Sequence, residues 1–379
     1  MKSICAVEGV TAAGIKEGKY GLALIRASGT AAGVFTSNKM RAAPVEVMME
    51  RMGRGTLDAV VVNSGCANAY TGERGYRDAV EMCGIAGGAL GIDPASVGVA
   101  STGVIGRYLD LPLIRDQCGR VAPLLARNGD AEDAAAKAIM TTDTFPKHAL
   151  VRTESFAVGG ITKGSGMIAP NMGTMLAFIY TDAQVEGPVL RDILRQATRR
   201  SFNRVVVDGD TSTNDVAFCT ATGAAGRVDR GELARAIEAV CRDLAVQIAR
   251  DGEGATKLLE VTVRGAPDED AAAEVARTVI ASPLVKTAIY GEDPNWGRVV
   301  AAAGRAGVEF DPYGVSLRVG EIPLVLRGEI VADLGAAKAA MRGATVAFDL
   351  DLAAGDGKAT AWGCDLTEKY VEINGKYTT

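Results

Sequence analysis

Histidine occurs only once in the sequence, as His148, and no two cysteines stand in a CxxC spacing. One histidine is enough for a Ser-His-Asp triad, but an HExxH motif or a histidine-rich metal site needs more. His148 lies in HALVRTESFAV, whose alternating character predicts a strand, and we expect it on the surface of that strand. The scarcity of imidazole therefore predicts catalysis without histidine and no metal site.

The seven cysteines are odd in number and scattered along the chain. This distribution is typical of reduced thiols in the cytosol and not of a disulfide scaffold or a zinc ribbon. The first residues, MKSICAVEGVTAAG, are too polar for a signal peptide. No window approaches the roughly 18 apolar residues of a membrane span. The sequence predicts a cytoplasmic protein that has no membrane partner.

Clustered positive charge is also scarce, and the net charge of −5 argues against a nucleic-acid partner. The densest basic run, RQATRRSFNR at 195–204, has helical spacing and is interpreted as a solvated helix face. The sequence contains no GxxxxGK[ST] motif. GVTAAGIKEG and KGSGMIAPNMG lack the GxGxxG spacing between a strand and a helix. The sequence therefore gives only weak support for nucleotide binding.

The organisation of the chain predicts two lobes of an α+β protein. A length of 379 residues exceeds one compact core, and 48% of the residues are hydrophobic. Strands and helices come partly in alternation and partly in runs, which favours α+β layers. The weakly marked lobe boundary is expected near 180–190. Expected strands include TLDAVVVNSG, SVGVASTGVIG, ALVRTESFAVGG, TMLAFIYTDA, GVSLRVG, IPLVLRGEIV, ATVAFDLDLAA and GKATAWGCDL; expected helices include ERGYRDAVEMCGIAGGALG, VLRDILRQATRRSF, GELARAIEAVCRDLAVQIARDG and DEDAAAEVARTVIASPLVKTAI.

A threonine stands between a glycine-rich loop and an apolar strand in KGSGMIAPNMGTMLAFIYTDA, at Gly173-Thr174. Activating a hydroxyl without histidine requires another base. If the peptide bond before Thr174 is cut, its own α-amine, with a pKa of roughly 7.7–8.0, becomes that base. Gly173 suits the strained turn that such a cut needs. The alternative is that Thr174 is an ordinary β-branched residue at the start of a strand.

Two further stretches contain groups that suit acyl transfer. In ASTGVIG, the Thr102 hydroxyl and the Gly103 N–H form the donor pair that an oxyanion needs, although a plain tight turn explains them equally. In IMTTDTFPK, three threonines line a polar pocket or form an N-cap-like turn. DGDTSTND offers Asp208, Asp210 and Asp215, but these carboxylates lack a matching set of ligands for a metal. DPNWGR is interpreted as an architectural turn anchored by its tryptophan.

Taken together, these motifs resemble those of a known family. KGSGMIAPNMGTMLAFIYTDA, NSGCANAYTG, STGVIG, MTTDTFPK, DGDTSTND, DGEGATK and DPNWGR are similar to the motifs of the ArgJ family. Its members are the ornithine acetyltransferases of the cyclic arginine pathway, also called glutamate N-acetyltransferases. The resemblance spans nearly the whole chain, from AAGIKEG near residue 13 to the terminal NGKYTT.

The resemblance implies a role for particular residues. The precursor would cleave itself between Gly173 and Thr174 into an α chain of 1–173 and a β chain of 174–379, with Thr174 as the nucleophile. The oxyanion hole would be the Thr102 hydroxyl and the Gly103 N–H. The implied substrate-binding residues are Thr141, Lys163, Thr174, Glu253, Asn374 and Thr379.

Charge suits Lys163 to a substrate α-carboxylate and Glu253 to the distal ammonium of ornithine. The alternative is that these two side chains pair with other residues on the surface. Asn374 and Thr379 reach a pocket only if the C-terminus folds back, whereas chain ends are usually frayed. Their assignment therefore depends on the resemblance alone.

The implied reaction is ping-pong transfer of acetyl from N2-acetylornithine to glutamate through an acetyl-threonine, in arginine biosynthesis. The implied fold is the layered αββα architecture of N-terminal-nucleophile proteins with a smaller C-terminal α/β lobe. The implied assembly is an αβ heterodimer that pairs into an (αβ)2 heterotetramer. No cofactor is expected, and acetyl-CoA stays open as a second acetyl donor. The alternatives are an N-terminal-nucleophile amide hydrolase or aminopeptidase, and an unprocessed binding protein.

Overall fold

The computed structural model describes residues 1–169 and 175–376. Its strands are β1 (Thr11–Glu17), β2 (Tyr20–Phe35), β3 (Thr56–Cys66), β4 (Val97–Val104), β5 (Lys147–Arg152), β6 (Ala157–Lys163), β7 (Leu176–Gln184), β8 (Val205–Val206), β9 (Val216–Arg227), β10 (Leu258–Ala266), β11 (Ser316–Val319), β12 (Ile322–Leu326), β13 (Glu329–Ile330), β14 (Thr345–Asp351) and β15 (Gly357–Cys364). Its α-helices are α1 (Ala43–Arg51), α2 (Gly72–Leu90), α3 (Leu111–Val121), α4 (Gly129–Ala138), α5 (Gly187–Arg200), α6 (Arg230–Arg250), α7 (Glu269–Ile280), α8 (Pro283–Tyr290), α9 (Trp296–Gly304), α10 (Leu334–Ala340) and α11 (Glu368–Lys376).

The larger sheet has the order β4-β3-β2-β9-β7-β6-β5, with β1 also paired to β2. The long strand β2 pairs with β3 through residues 21–30 and with β9 through residues 30–35. A straight strand of this length would span about 50 Å. Yet Asn214, just before β9, bonds to Ala67, just after β3, and to Ser101 in the second half of β4. These residues lie beside the opposite end of β2 from the end that pairs with β9. The strand therefore bends, at the register shift between Arg26 and Gly29, and folds the sheet into two facing layers.

The side chains of β7 alternate between two hydrophobic cores, as the period of a strand requires. Leu176, Phe178 and Tyr180 belong to the core shared with β2 and β3. Ala177 and Ile179 belong to the core that α5 and α6 complete. Helices α1 to α4 pack against β1, β2 and β4, and α5 and α6 pack against β2, β5, β6 and β9. The predicted αββα layering is confirmed.

The smaller sheet forms the C-terminal lobe, in the order β13-β12-β11-β14-β10-β15-β8. Its hydrophobic core includes residues of α7, α8, α9 and α10. The predicted α+β class with a smaller C-terminal α/β lobe is also confirmed. The division into 1–173 and 174–379, with a lobe boundary near 180–190, stays a prediction; β7 and β9, on either side of that boundary, both belong to the larger sheet.

Two predicted elements are divided in the structure. ALVRTESFAVGG forms most of β5 and the start of β6, which pair antiparallel as a hairpin and not as one strand. DEDAAAEVARTVIASPLVKTAI contains two helices, because the hydroxyl of Ser282 accepts the Val285 N–H and Pro283 opens α8. A serine N-cap followed by proline starts a new helix and ends the old one. The apolar period continues across this break, which is why one helix was expected.

The prediction of a strand at His148 is confirmed, but that of a surface position is wrong. Its side chain lies in β5 and is only 6% exposed. Its Nδ1 lies 2.8 Å from the Ser3 hydroxyl, and its Nε2 lies 3.3 Å from Asp133. Burial lowers the pKa of His148. The N-terminal segment covers this strand, which the local pattern does not reveal.

The basic run at 195–204 lies in α5 and the turn after it, as predicted. Arg199 pairs with Asp270, and Arg200 with Glu269, at the start of α7. Both arginine side chains are about two-fifths exposed. The helical part of the run is thus a partly solvated face whose arginines pair with the start of α7, and Arg204, the last residue of the run, is largely buried.

Candidate active site

A cleft with about 90 Å³ of internal space opens where the two layers of the larger sheet meet. One wall is the end of β4 and the segment after β3, and the other is the end of β6 with the loops before β5 and β9. The cleft is closed by Glu253, in the segment after α6, and by Asn374, in α11. It is lined by Ala67, Thr102, Gly103, Ile105, Thr141, Thr142, Lys163, Gly166, Met167, Ser212, Thr213, Asn214, Glu253 and Asn374.

The structure brings most of the sequence-predicted site residues into this one cleft. Those that line it are Thr102, Gly103, Thr141, Lys163, Glu253 and Asn374. Gly173, Thr174 and Thr379 lie outside the described residues. His148 is not among the lining residues.

Glycine is required at position 103 by both backbone conformation and space. Gly103 has a φ of +130°, a region that side chains disfavour. It pairs with Gly65 of β3, and a Cβ on Gly103 would stand 2.4 Å from the Gly65 carbonyl carbon. The close approach of these two chain segments leaves room only for glycine and turns the chain at Thr102.

Lys163, the last residue of β6, donates a hydrogen bond from its ammonium to the Thr102 hydroxyl oxygen at 3.1 Å. Both residues are 3% exposed. Burial lowers the pKa of Lys163, while the nearby Asp143, Asp215 and Glu253 carboxyl groups act in the opposite direction. Because the ammonium occupies a lone pair of the Thr102 oxygen, the hydroxyl proton stays available to another acceptor.

A buried ion-pair network supports both sides of this lysine. Asp143 accepts the Thr141 N–H at 3.0 Å and the Gly164 N–H at 2.7 Å. The fully buried Lys147 ammonium lies 2.7 Å from Asp143 and also pairs with Asp251. Burial alone would raise the pKa of Asp143, but Lys147 and Lys163 outweigh it and lower the pKa to about 2. This carboxylate thus fixes Thr141 relative to the end of β6.

Glu253 lies against the loop that follows Lys163. Its backbone N–H bonds to the Ser165 carbonyl at 2.9 Å. A Cβ on Gly166 would stand 2.4 Å from the Glu253 carboxylate, so this glycine makes space for the side chain. The Asn374 amide donates to the Glu253 carboxylate at 2.8 Å. The C-terminal segment therefore folds back onto the cleft through α11, helped by a bond from the Thr367 hydroxyl to the Gly254 carbonyl.

Sequence reasoning missed the role of the loop between β8 and β9, which contains DGDTSTND. Asn214 donates to the carbonyls of Ala67 and Ser101 at 2.7 and 2.9 Å and so ties this loop to the start of the Thr102 turn. The loop also receives bonds from Thr36 and Asn38. The dense polar sequence is the only local signal of this role, since nothing in the sequence shows which backbone groups its side chains will meet.

Metal ligation finds no support at the described positions. No group of three or more histidine, cysteine, aspartate or glutamate residues there is arranged to hold a metal ion. Asp208 and Asp215 instead accept backbone N–H groups. Along the same residues, no helix has the length and apolar character needed to cross a membrane.

A family model described as the ArgJ family matches residues 7–379. The chain belongs to the ArgJ family. A glutamate N-acetyltransferase of Methanosarcina mazei is 50% identical to this chain. The alignment covers 99% of this chain and 98% of the relative. An arginine biosynthesis bifunctional protein ArgJ of Symbiobacterium thermophilum is 52% identical over 96% of this chain and 93% of the relative. The chain is accordingly an acetyltransferase of arginine biosynthesis.

A solved structure supports the fold of this ArgJ-family chain. The crystal structure of arginine biosynthesis bifunctional protein ArgJ from Bacillus halodurans is 41% identical in sequence and has a TM-score of 0.51. The match covers 96% of the crystallised chain but 52% of this one. The crystallised polypeptide is therefore about half as long as this chain.

Proposed function

We propose that this chain is a self-cleaving acetyltransferase that moves acetyl from N2-acetylornithine to glutamate through an acetyl ester on Thr174. The observation that carries the proposal is the strand pairing beside the cleft. Leu176, two residues after Thr174, pairs with Lys163 on one side and with Val216 on the other. The central strand of these three therefore begins beside Lys163, the residue that bonds to Thr102, and Thr174 precedes this strand by two positions in the sequence.

Self-cleavage would proceed by attack of the Thr174 hydroxyl oxygen on the Gly173 carbonyl carbon. The C–O bond forms, the C–N bond breaks, and the hydroxyl proton passes to the released amine. Water then hydrolyses the ester and leaves a Gly173 carboxylate and a free Thr174. Cleavage of this chain between Gly173 and Thr174 would yield a β chain of 174–379, a little over half of the total length. The B. halodurans chain is also about half as long as this one, which supports such a step.

Transfer would use the same hydroxyl and the new α-amine as its base. The oxygen attacks the acetyl carbonyl, the amine takes the hydroxyl proton and passes it to the departing ornithine nitrogen, and an acetyl ester remains. The glutamate α-amine then attacks the ester carbonyl and restores the hydroxyl. The Thr102 hydroxyl and the Gly103 N–H would stabilise each tetrahedral oxyanion. The lone-pair bond from Lys163 leaves the Thr102 proton free for that purpose.

Substrate binding would divide between the two ends of the cleft. Lys163 would attract the α-carboxylate that acetylornithine and glutamate share, with Thr141 beside it. Glu253 would pair with the distal ammonium of ornithine, and Asn374 orients the Glu253 carboxylate through their 2.8 Å bond. Thr379 is proposed as a further contact on the basis of family resemblance alone.

We further propose that the two chains stay together as an αβ unit that pairs into an (αβ)2 heterotetramer in the cytoplasm. In support of a reducing compartment, all seven cysteines are free and buried. No cofactor is proposed. Relatives of similar identity include both a glutamate N-acetyltransferase and a bifunctional protein, so acetyl-CoA as a second acetyl donor is a separate proposal, tested by supplying it with glutamate and no acetylornithine.

Intact mass under denaturing conditions tests the cleavage directly. We expect two polypeptides divided at 173/174 for the wild type and one for Thr174→Ala, which should also lose transfer. Consumption of acetylornithine should require glutamate. Rapid consumption in glutamate-free buffer would indicate an amide hydrolase, and an active single chain would exclude Thr174 as an N-terminal nucleophile.

A further inference from the structure

The two aspartates at the ends of the DGDTSTND loop bond to the chain on either side of residues 170–174. Asp208 accepts the Met167 N–H at 2.6 Å and the Ile168 N–H at 2.8 Å. Asp215 accepts the Met175 N–H at 2.9 Å. We infer that Asp208 and Asp215 are positioning residues for self-cleavage, and that they hold the two flanks of the scissile segment in register. This inference rests on the proposed function.

Backbone bonds strengthen each end of this arrangement. The Ile168 carbonyl accepts the N–H groups of Val207 and Asp208, and the Met175 carbonyl accepts the Val216 N–H. The two flanks are therefore paired to the two ends of one loop. Holding these two described flanks is the contribution to self-cleavage that we assign to the two aspartates.

The loop that carries the two aspartates is itself held from several sides. The Thr36 hydroxyl donates to the Ser212 carbonyl, and the Ala42 N–H donates to the Thr213 carbonyl. Asn214 connects the loop to Ser101, the neighbour of Thr102. One loop thus links the flanks of the scissile segment to the proposed oxyanion donor. Attack on a carbonyl requires such fixed placement of the reacting atoms.

Asp215 is the more deeply buried of the two aspartates, which suits it to a positional role. Asp215 has no exposed surface, and its Oδ2 has no hydrogen-bond partner among the described residues. Burial raises the pKa of Asp215, although the Met175 N–H and Lys163 oppose that rise. An incompletely satisfied polar group at this depth costs stability, and placement of Met175 is the function that accounts for it.

Pulse-chase expression tests the inference, with the uncleaved fraction followed over time by denaturing gel and intact mass. Asp215→Ala should slow cleavage about tenfold, the effect of losing the buried hydrogen bond that places the Met175 N–H. Asp208→Ala should slow it by a similar factor. Asp215→Asn keeps an acceptor oxygen for the Met175 N–H and should cleave within about threefold of the wild-type rate.

Glu132→Ala is the matched control. Glu132 is fully buried and likewise accepts backbone N–H groups, from Lys2, Ser3 and Cys5, but at the N-terminus. The Glu132→Ala variant should cleave at the wild-type rate. Thermal unfolding of each variant is compared with that of the uncleaved Thr174→Ala precursor. If the alanine variant at 215 does not fold, Asp215→Leu, which is similar in volume and lacks the acceptor, takes its place.

The outcomes distinguish failure of the positioning role from failure of the proposed self-cleaving function. If the wild type cleaves and Asp215→Ala cleaves equally fast, the inference is wrong and the proposed function stands. Equal slowing of Glu132→Ala and Asp215→Ala would also overturn the inference, because general destabilisation would then explain both. A wild-type chain that never cleaves contradicts the proposed function and the inference with it.

Discussion

The Lys163 ammonium and the Thr102 hydroxyl oxygen lie 3.1 Å apart in a hydrogen bond, at the ends of strands β6 and β4 from opposite layers of the fold. Both residues are almost completely buried. The bond joins a proposed substrate-binding residue to a proposed oxyanion donor. Removing either residue should therefore alter the chemical step as well as binding.

Replacing Thr102 by valine removes the hydroxyl while keeping the shape of the side chain. We expect kcat for acetyl transfer to fall by about 10²–10³, the usual cost of one oxyanion-hole donor. Thr102→Ser keeps the hydroxyl and should retain most of the activity. Steady-state kinetics with acetylornithine and glutamate measure both variants, and full activity of Thr102→Val would exclude the role.

A double-mutant cycle tests whether Lys163 acts through Thr102. We expect the losses in kcat for Thr102→Val and Lys163→Met to add to more than the loss of the double variant, by at least about 1 kcal/mol, because the two side chains share one bond. Additive losses would mean that Lys163 acts on the substrate alone.

Alanine at position 103 should be far more destabilising than alanine at position 106. Both glycines have positive φ, but a Cβ at Gly106 meets no atom within 4 Å, whereas one at Gly103 would overlap the backbone of Gly65. We expect Gly106→Ala to cost about 1–2 kcal/mol of unfolding free energy and Gly103→Ala about 3 kcal/mol or more. Urea unfolding of the two variants measures this, and equal costs would contradict the close contact.

Substitution of Glu253 should separate the two substrates. Glu253→Gln removes the negative charge proposed to pair with the ornithine ammonium, so we expect KM for acetylornithine to rise about 10- to 100-fold. KM for glutamate should not rise, because glutamate carries a distal carboxylate and no distal cation that Glu253 could attract. Asn374→Ala, which removes only the neighbour of the carboxylate, should have a smaller effect. A parallel rise for both substrates would argue against the assignment.

The Asp143 carboxylate should stabilise the fold in a manner that depends on pH. Its pKa is about 2 in the folded protein, below the ordinary value of 3.8. A lowered carboxyl pKa stabilises the fold above the unfolded value, and this stability is lost as the pH falls from about 4 to 2. The unfolding free energy of the wild type relative to Asp143→Asn should therefore shrink by about 2 kcal/mol between pH 5 and pH 2.

Urea unfolding at several pH values checks this expectation. Asp365→Asn is a suitable comparison, since Asp365 is also buried and accepts the N–H groups of Thr256 and Lys257 in the other lobe. Parallel curves for the wild type and Asp143→Asn across this range would contradict a pKa of about 2.

Local pattern was enough to predict most of the elements, because periodicity records which face of a segment is buried. It failed where a signal of one or two residues outweighed the period. Ser282-Pro283 starts a new helix inside a continuous apolar pattern. The hairpin between β5 and β6 turns at a short polar stretch that alternation alone does not distinguish from a continuing strand.

The motifs of the sequence by themselves determined the family, the fold class and the candidate residues, because unusual residues in order along the chain suffice to recognise relatives. Only the tertiary structure decided which of them meet. Thr102, Lys163, Glu253 and Asn374 come from distant parts of the chain, and they converge because β2 bends and α11 folds back. The role of the DGDTSTND carboxylates also depends on the tertiary structure, because the fold brings the backbone N–H groups of Met167, Ile168 and Met175 within hydrogen-bond distance of Asp208 and Asp215.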